Sequence, residues 1–109
     1  MIYLCSPYSH PDPAVRHARY LAVCKKAAEL ILQEQVIFSP IAHSHPISEF
    51  MPPDKVTCFD TWMSVDVPIL RRAETLAVLM LDGWQQSRGV AEEIRVATAC
   101  RIPIRYLEP

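Results

Sequence analysis

Short apolar runs alternate along this chain with longer stretches in which apolar residues recur every three or four positions. Met1 to Cys5 is apolar and stops at Ser6-Pro7, which predicts a buried strand. Ser6 to Pro13 is rich in proline and serine and predicts a loop. Asp12 is placed to cap a helix that has Pro13 at its first position. In that helix Ala14, Ala18, Leu21, Cys24, Ala28 and Ile31 form one apolar face, and it should run to about Gln33. Gln35 to Ser39 predicts a second strand, and Pro40 to Pro53 a loop carrying His43 and His45. A second helix is expected from Asp54 to about Arg72, with Pro68 forcing a kink or restart near Val65 to Asp66. Thr75 to Leu81 is apolar throughout, as suits a central strand covered on both faces. Asp82 to Arg88 predicts a loop, Gly89 to about Arg101 a third helix, and Pro103 to Leu107 a last strand.

The expected order is therefore β-α-β-α-β-α-β. Such alternation predicts an α/β domain of three layers: a parallel sheet of about four strands with helices on both faces, flavodoxin-like or Rossmann-like. One domain should span residues 1–109. Ligands of such sheets bind beyond the carboxyl ends of the strands, where the strand order switches. The loops predicted at those ends are Ser6 to Pro11, Ser39 to Pro53 and Asp82 to Arg88, and the unusual polar residues collect in them.

Composition narrows the function classes. Half of the residues are hydrophobic, 21% are charged and the formal net charge is −1, which describes a folded chain rather than a disordered one. No basic stripe is present, so a nucleic-acid polymer is not an expected partner. The longest apolar run, Leu76 to Leu81, is too short to span a bilayer, and the first residues lack the order of a signal peptide, so no membrane partner is expected. Cys5, Cys24, Cys58 and Cys100 form no C-x-x-C pair and lie in apolar segments. Reduced thiols and a cytoplasmic location follow as expectations.

Candidate chemistry centres on the third helix. Ser87 and Gly89 precede and open it; free N–H groups there attract anions, and glycine lets a ligand approach the backbone. Ser87 is equally suited to an ordinary helix cap. Glu92 and Glu93 are neighbours in sequence but face different surroundings. Glu92 has Arg88 and Arg95 one turn away and reads as a solvated acid, whereas Glu93 has Gly89, Val90, Val96 and Ala97. A carboxylate held against apolar groups near a helix N-terminus suits a nucleophile, and also a glutamate at the edge of the core. Asp66, between Val65 and Val67, is either the cap of a restarted helix or a carboxylate that orients or protonates a substrate base. Two acids flanking one glycosidic carbon are what cleavage through a covalent intermediate requires. Tyr3 shares a strand face with Cys5, and its hydroxyl would need a polar partner. His43 and His45 flank Ser44, but no further ligand stands at metal-binding spacing, so no metal is expected. Ser6, Tyr8, Ser39, His43, Trp84, Ser87 and Gly89 are the candidate ligand contacts; Tyr8 and Trp84 are each able to stack on a nucleobase or to cover the core.

Three segments together resemble the nucleoside 2-deoxyribosyltransferases and the related 2′-deoxynucleoside 5′-phosphate N-hydrolases. Ile2-Tyr3-Leu4-Cys5-Ser6-Pro7-Tyr8-Ser9 is similar to that superfamily's first strand and loop. Trp62-Met63-Ser64-Val65-Asp66 is similar to its aspartate-bearing helix, and Ser87-x-Gly89-x-x-x-Glu93 to its serine–glycine–glutamate motif. The resemblance covers nearly the whole chain in order of elements. It implies that Glu93 attacks C1′ to form a glycosyl-enzyme intermediate, that Tyr3 positions Glu93, and that Asp66 orients the sugar or assists the leaving base. It implies a nucleoside or nucleotide substrate, a phosphate near Ser87, no cofactor, and a homo-oligomer. The chain departs from the pattern in its Asp82-Gly83-Trp84 loop, in Arg88 and Glu92, and in lacking the C-terminal extension with which relatives complete a neighbour's site.

Two other classes compete with an enzyme. One is a module of the same fold that binds a nucleotide or nucleotide-sugar without turnover; the other is a structural partner protein. A phosphate-binding protein of unrelated chemistry fits poorly, because Gly83 and Gly89 are the sole glycines and make neither G-x-G-x-x-G nor a Walker loop.

Overall fold

The computed structural model describes all 109 residues. Four strands form one parallel sheet in the order β2-β1-β3-β4, with β1 at Ile2–Cys5, β2 at Ile37–Phe38, β3 at Thr75–Leu79 and β4 at Ile104–Leu107. Helix α1 (Pro13–Leu32) joins β1 to β2. Helices α2 (Pro40–Ser48), α3 (Pro53–Val56) and α4 (Phe59–Leu70) lie between β2 and β3, and α5 (Arg88–Ala99) leads into β4. The expected α/β fold with a parallel sheet is the fold observed, of the Rossmann or flavodoxin-like kind. No helix is long and apolar enough to cross a membrane.

Alternation along the strands divides the core in two. Tyr3, Cys5, Leu76 and Val78 point to one face and pack with Leu70 of α4 and Val90, Val96 and Ala97 of α5. Leu4, Ala77 and Leu79 point to the other and pack with Val23, Ala27 and Leu30 of α1. The stripe α1 buries is thus not the expected one. Ala14, Ala18 and Ala28 are exposed, and so are Leu21 and Ile31, at 48% and 57%. Two apolar stripes run along this helix about 100° apart, a single residue's turn. Half of the expected stripe is alanine, whose methyls remove little area from water, and the sheet takes Val23, Ala27 and Leu30 instead.

The largest correction concerns Pro40 to Pro53, where helices stand in place of the expected loop. Ser39 caps α2, its hydroxyl accepting from the Ala42 N–H at 3.2 Å, and Pro40 occupies the first turn. This is the same cap-and-proline start as Asp12-Pro13, whose carboxylate accepts from Ala14 N–H at 2.9 Å. Pro46 lies inside α2 and removes one hydrogen bond without ending it. Pro68 likewise lies inside α4, which runs from Phe59 to Leu70 with no restart at Val65 to Asp66. Burial of Leu70 in the apolar cluster beneath α4 and α5 holds the helix through that missing bond.

Beyond β3 the chain turns at Leu81 and Gly83. Gly83 has φ +88°, in the left-handed region that favours glycine, and a Cβ there would stand 2.8 Å from Arg19 Nη2 and displace that side chain. That Arg19 donates to Asp82 O at 3.2 Å and to Ser9 O at 3.0 Å. One α1 side chain therefore ties together the loops that follow β1 and β3.

Candidate functional site

In a sheet ordered β2-β1-β3-β4 the chain first moves one way from β1 and then returns to its other side, so the switch lies between β1 and β3. A cavity of about 390 Å³ opens there, at the carboxyl ends of those strands. Three helices and one loop wall it. From α2 come Ile41, Ser44, His45 and Ser48; from α4 come Phe59, Trp62, Met63 and Asp66. Both sets follow the i, i+3, i+4, i+7 spacing of one helical face. Helix α5 contributes Arg88, Gly89 and Glu93 behind its cap Ser87, and the loop after β1 contributes Ser6, Tyr8 and Ser9.

Two carboxylates are sunk in this wall. Glu93 is 4% exposed and Asp66 5%. Burial raises the Glu93 pKa to about 8; the Tyr3 hydroxyl pulls it partly back, and Asp66 adds to the rise. Burial alone lifts Asp66 to about 6. Beneath them lies Tyr3, fully buried and outside the cavity lining, its hydroxyl pushed far up by burial and then by Glu93 and Asp66. Tyr3 influences Glu93 without reaching an aligned hydrogen bond. The Tyr3 hydroxyl, Ser6 Oγ, Ser44 Oγ, Asp66 Oδ1 and Glu93 Oε2 are all buried with no partner. Unpaired buried polar atoms are costly, and here they cluster around one cavity. Glu92 shows the contrast that helix geometry imposes on adjacent residues. It pairs with Arg95, whose Nε donates at 2.9 Å, and this bond holds its pKa down.

The upper wall is held by aromatic contacts. Tyr8 hydroxyl and His45 Nδ1 are 2.6 Å apart, and the His45 ring stacks on Tyr20 at 4.1 Å. Burial, then His17, keeps the His45 pKa low. Trp62 Nε1 donates to Val56 O at 2.7 Å, which fixes the indole. The Arg88 guanidinium lies over the Phe59 ring, 3.8 Å from its centroid.

Of the candidates read from sequence, Glu93, Asp66, Ser6, Tyr8, Ser87 and Gly89 line the cavity, and Tyr3 lies directly beneath it. Ser39, His43 and Trp84 do not line it. Ser39 is buried as the cap of α2. His43 is exposed, its ring beside Phe38 at 5.7 Å. Trp84 packs beside Tyr106 at 5.6 Å and against the core. Because this stretch is helical rather than a loop, residues two apart point about 200° apart, which puts His45 on the cavity side and His43 on the opposite side. Lining residues that the sequence does not single out include Ser44, Phe59 and Met63. The signal that finds the first is the Ser39-Pro40 helix start, which puts Ser44 and His45 on one face.

Fold and site together define an α/β protein with a cavity at its topological switch point, floored by two unpaired carboxyl groups. The chain matches the family described as a domain of unknown function (DUF1937) over residues 1–108, and it belongs to that family. No curated protein matches it.

Proposed function

We propose that this protein cleaves or transfers the N-glycosidic bond of a nucleoside or nucleoside 5′-monophosphate, as its resemblance to the nucleoside 2-deoxyribosyltransferases implies. The observation that carries the reading is the pair of buried, unpartnered carboxyl groups, Glu93 and Asp66, with Tyr3 beneath them, in one nucleoside-sized cavity. Glu93 attacks C1′ as the carboxylate. The C1′–N bond breaks, its electron pair leaves with the base, and Asp66 supplies a proton to the base or holds the sugar hydroxyls. Water or a second base then takes the sugar from Glu93. Apolar packing beneath the cavity keeps water from the buried acids and strengthens their interaction with the positive charge that develops at C1′. The aromatic stripe of α4 suits a nucleobase. No step calls on a cofactor. Free thiols at all four cysteines suit the expected reducing compartment. A homo-oligomer remains part of the proposal, and sedimentation tests it.

The deciding experiment is base release, followed by chromatography, from a panel of nucleosides and 5′-monophosphates. Release by the wild type should fall by about a thousandfold or more in Glu93→Ala. Because Glu93 holds a proton up to about pH 8 in the empty cavity, kcat/KM should climb as pH rises towards that value. Binding without release, by a folded protein, would replace this reading with the non-catalytic nucleotide-binding module.

A further inference from the structure

His45 lines the cavity with one ring nitrogen fixed and the other open. Its Nδ1 stands 2.6 Å from the Tyr8 hydroxyl, and its ring stacks on Tyr20 at 4.1 Å, so both the edge and the face of the imidazole are set. The backbone is held as well, because the Ser48 hydroxyl donates to His45 O at 2.6 Å. Nε2 has no hydrogen-bond partner in the protein. The neighbours decide which nitrogen carries the hydrogen. Burial, then His17, keeps the ring neutral, so one nitrogen donates and the other accepts. Burial keeps the Tyr8 hydroxyl protonated, and the charge of Arg16 acts on its oxygen in the opposite sense. A hydroxyl with a cation near its oxygen turns its hydrogen to the other neighbour, which here is Nδ1. The ring hydrogen therefore sits on Nε2, and His45 offers a donor.

That donor stands on the wall across from the acids. Helix α2 leaves β2 and α5 leaves β3, strands on opposite sides of β1, so His45 and Glu93 face the cavity from opposite sides of the switch point. Ser44, the residue before His45, is 8% exposed and lines the cavity with a hydroxyl that has no partner. Ile41 and Trp62 add apolar surface, the indole fixed by its bond to Val56 O. A sugar whose C1′ meets Glu93 presents the group bonded to that carbon to the remaining wall. Apolar surface with a few fixed polar groups suits a planar heterocycle.

We propose that His45, with Tyr8 as its positioning residue, is the specificity-determining residue through which this cavity recognises a hydrogen-bond acceptor on the edge of a nucleobase. The proposal rests on the nucleoside reading above and deepens it. It stands on the Tyr8 contact, the Tyr20 stack, the open Nε2 and the orphaned Ser44 hydroxyl, and it draws on no motif of the superfamily that the chain resembles.

The test reads binding of free bases, which does not require turnover. NMR titration of the full chain would compare adenine with 3-deazaadenine and 7-deazaadenine, hypoxanthine with purine, and uracil with pyrimidin-4-one and pyrimidin-2-one. In each analogue one acceptor of the parent is replaced by C–H. The wild type should bind a parent base about tenfold more tightly than the analogue that lacks the recognised acceptor, the scale of one hydrogen bond. His45→Phe, which keeps an aromatic ring over Tyr20, should bring that ratio close to one. His45→Gln, whose amide donates, should restore part of it. Tyr8→Phe should lower the ratio several-fold, because the ring hydrogen is then free to move to Nδ1. Thermal unfolding checks each variant; if His45→Phe does not fold, the Tyr8→Phe ratio decides. Equal weakening of parent and analogue in His45→Phe, as a structural role would give, overturns the proposal. So does an unchanged ratio, or a wild type that binds none of the bases or binds parents and analogues alike. Acceptor-selective binding that depends on His45 but brings no base release from nucleosides leaves the proposal standing and removes only the glycosidase reading. Base release whose ranking of bases is the same in wild type and His45→Phe keeps the glycosidase reading and removes the proposal.

Discussion

The two faces of the sheet are built from the same strands and differ in what they leave unfinished. On the α1 face, Leu4, Val23, Ala27, Leu30, Ala77 and Leu79 form a wholly apolar cluster. On the other face the apolar cluster beneath α4 and α5 contains Tyr3, and Asp66 and Glu93 stand at its edge with polar atoms buried and unpaired. One residue of offset along β1 separates Leu4 from Tyr3 and decides which kind of surface each meets. The first face converts burial directly into stability. The second gives up stability to hold ionisable groups where water is scarce, a trade expected at sites where a ligand completes the missing interactions.

The comparison breaks if truncation and neutralisation have the same sign on both faces. The largest effect should come from Leu79→Ala, which opens a cavity in the apolar cluster and should cost about 2–5 kcal/mol in urea unfolding. Glu93→Gln should do the reverse. The fold raises the Glu93 pKa from 4.5 to about 8, so between those values the folded protein holds a proton that the unfolded chain has released. Stability contributed by Glu93 is therefore greatest at low pH, declines as pH rises through this window, and stops declining above about 8. Asp66 adds a smaller decline between 3.8 and about 6. Glu93→Gln should flatten most of this slope and stabilise the protein at pH 8 by on the order of 2 kcal/mol, while base release is lost. A wild-type stability that does not fall between pH 5 and 8 would mean that Glu93 is better solvated than its burial indicates.

The smallest effect sharpens the contrast within α5 itself. Gly89→Ala should raise stability by about 0.5–1 kcal/mol, because alanine loses less backbone freedom in a helix and the new Cβ makes only an ordinary contact, with Ser87 Oγ at 3.9 Å. The same methyl projects into the cavity wall and should lower base release roughly tenfold. Thermal unfolding and base release measured on one preparation check both signs. A destabilised variant would show that Gly89 serves the fold rather than the ligand.

How much of this was legible in the sequence depended on whether neighbours along the chain settle the matter. The strands, α1 and α5 were readable because periodicity and caps are local. So was the contrast between Glu92 and Glu93, which follows from which residues lie one turn away. Prolines misled where they open or interrupt a helix. Pro40 and Pro53 start helices, and Pro46 and Pro68 sit inside them, because packing offsets one missing hydrogen bond.

The sequence by itself determined an α/β chain of strands and helices in this order, and a glutamate on α5 with no local partner. Only tertiary structure decided which stripe of α1 meets the sheet, that Ser39 and Trp84 serve the scaffold, and that Arg88 on one helix rests on Phe59 of another. The physical reason is that burial and pairing of a side chain depend on what arrives from elsewhere in the chain. Residues 27 apart, such as Asp66 and Glu93, acquire their shared environment only when two helices pack on the same face of one sheet.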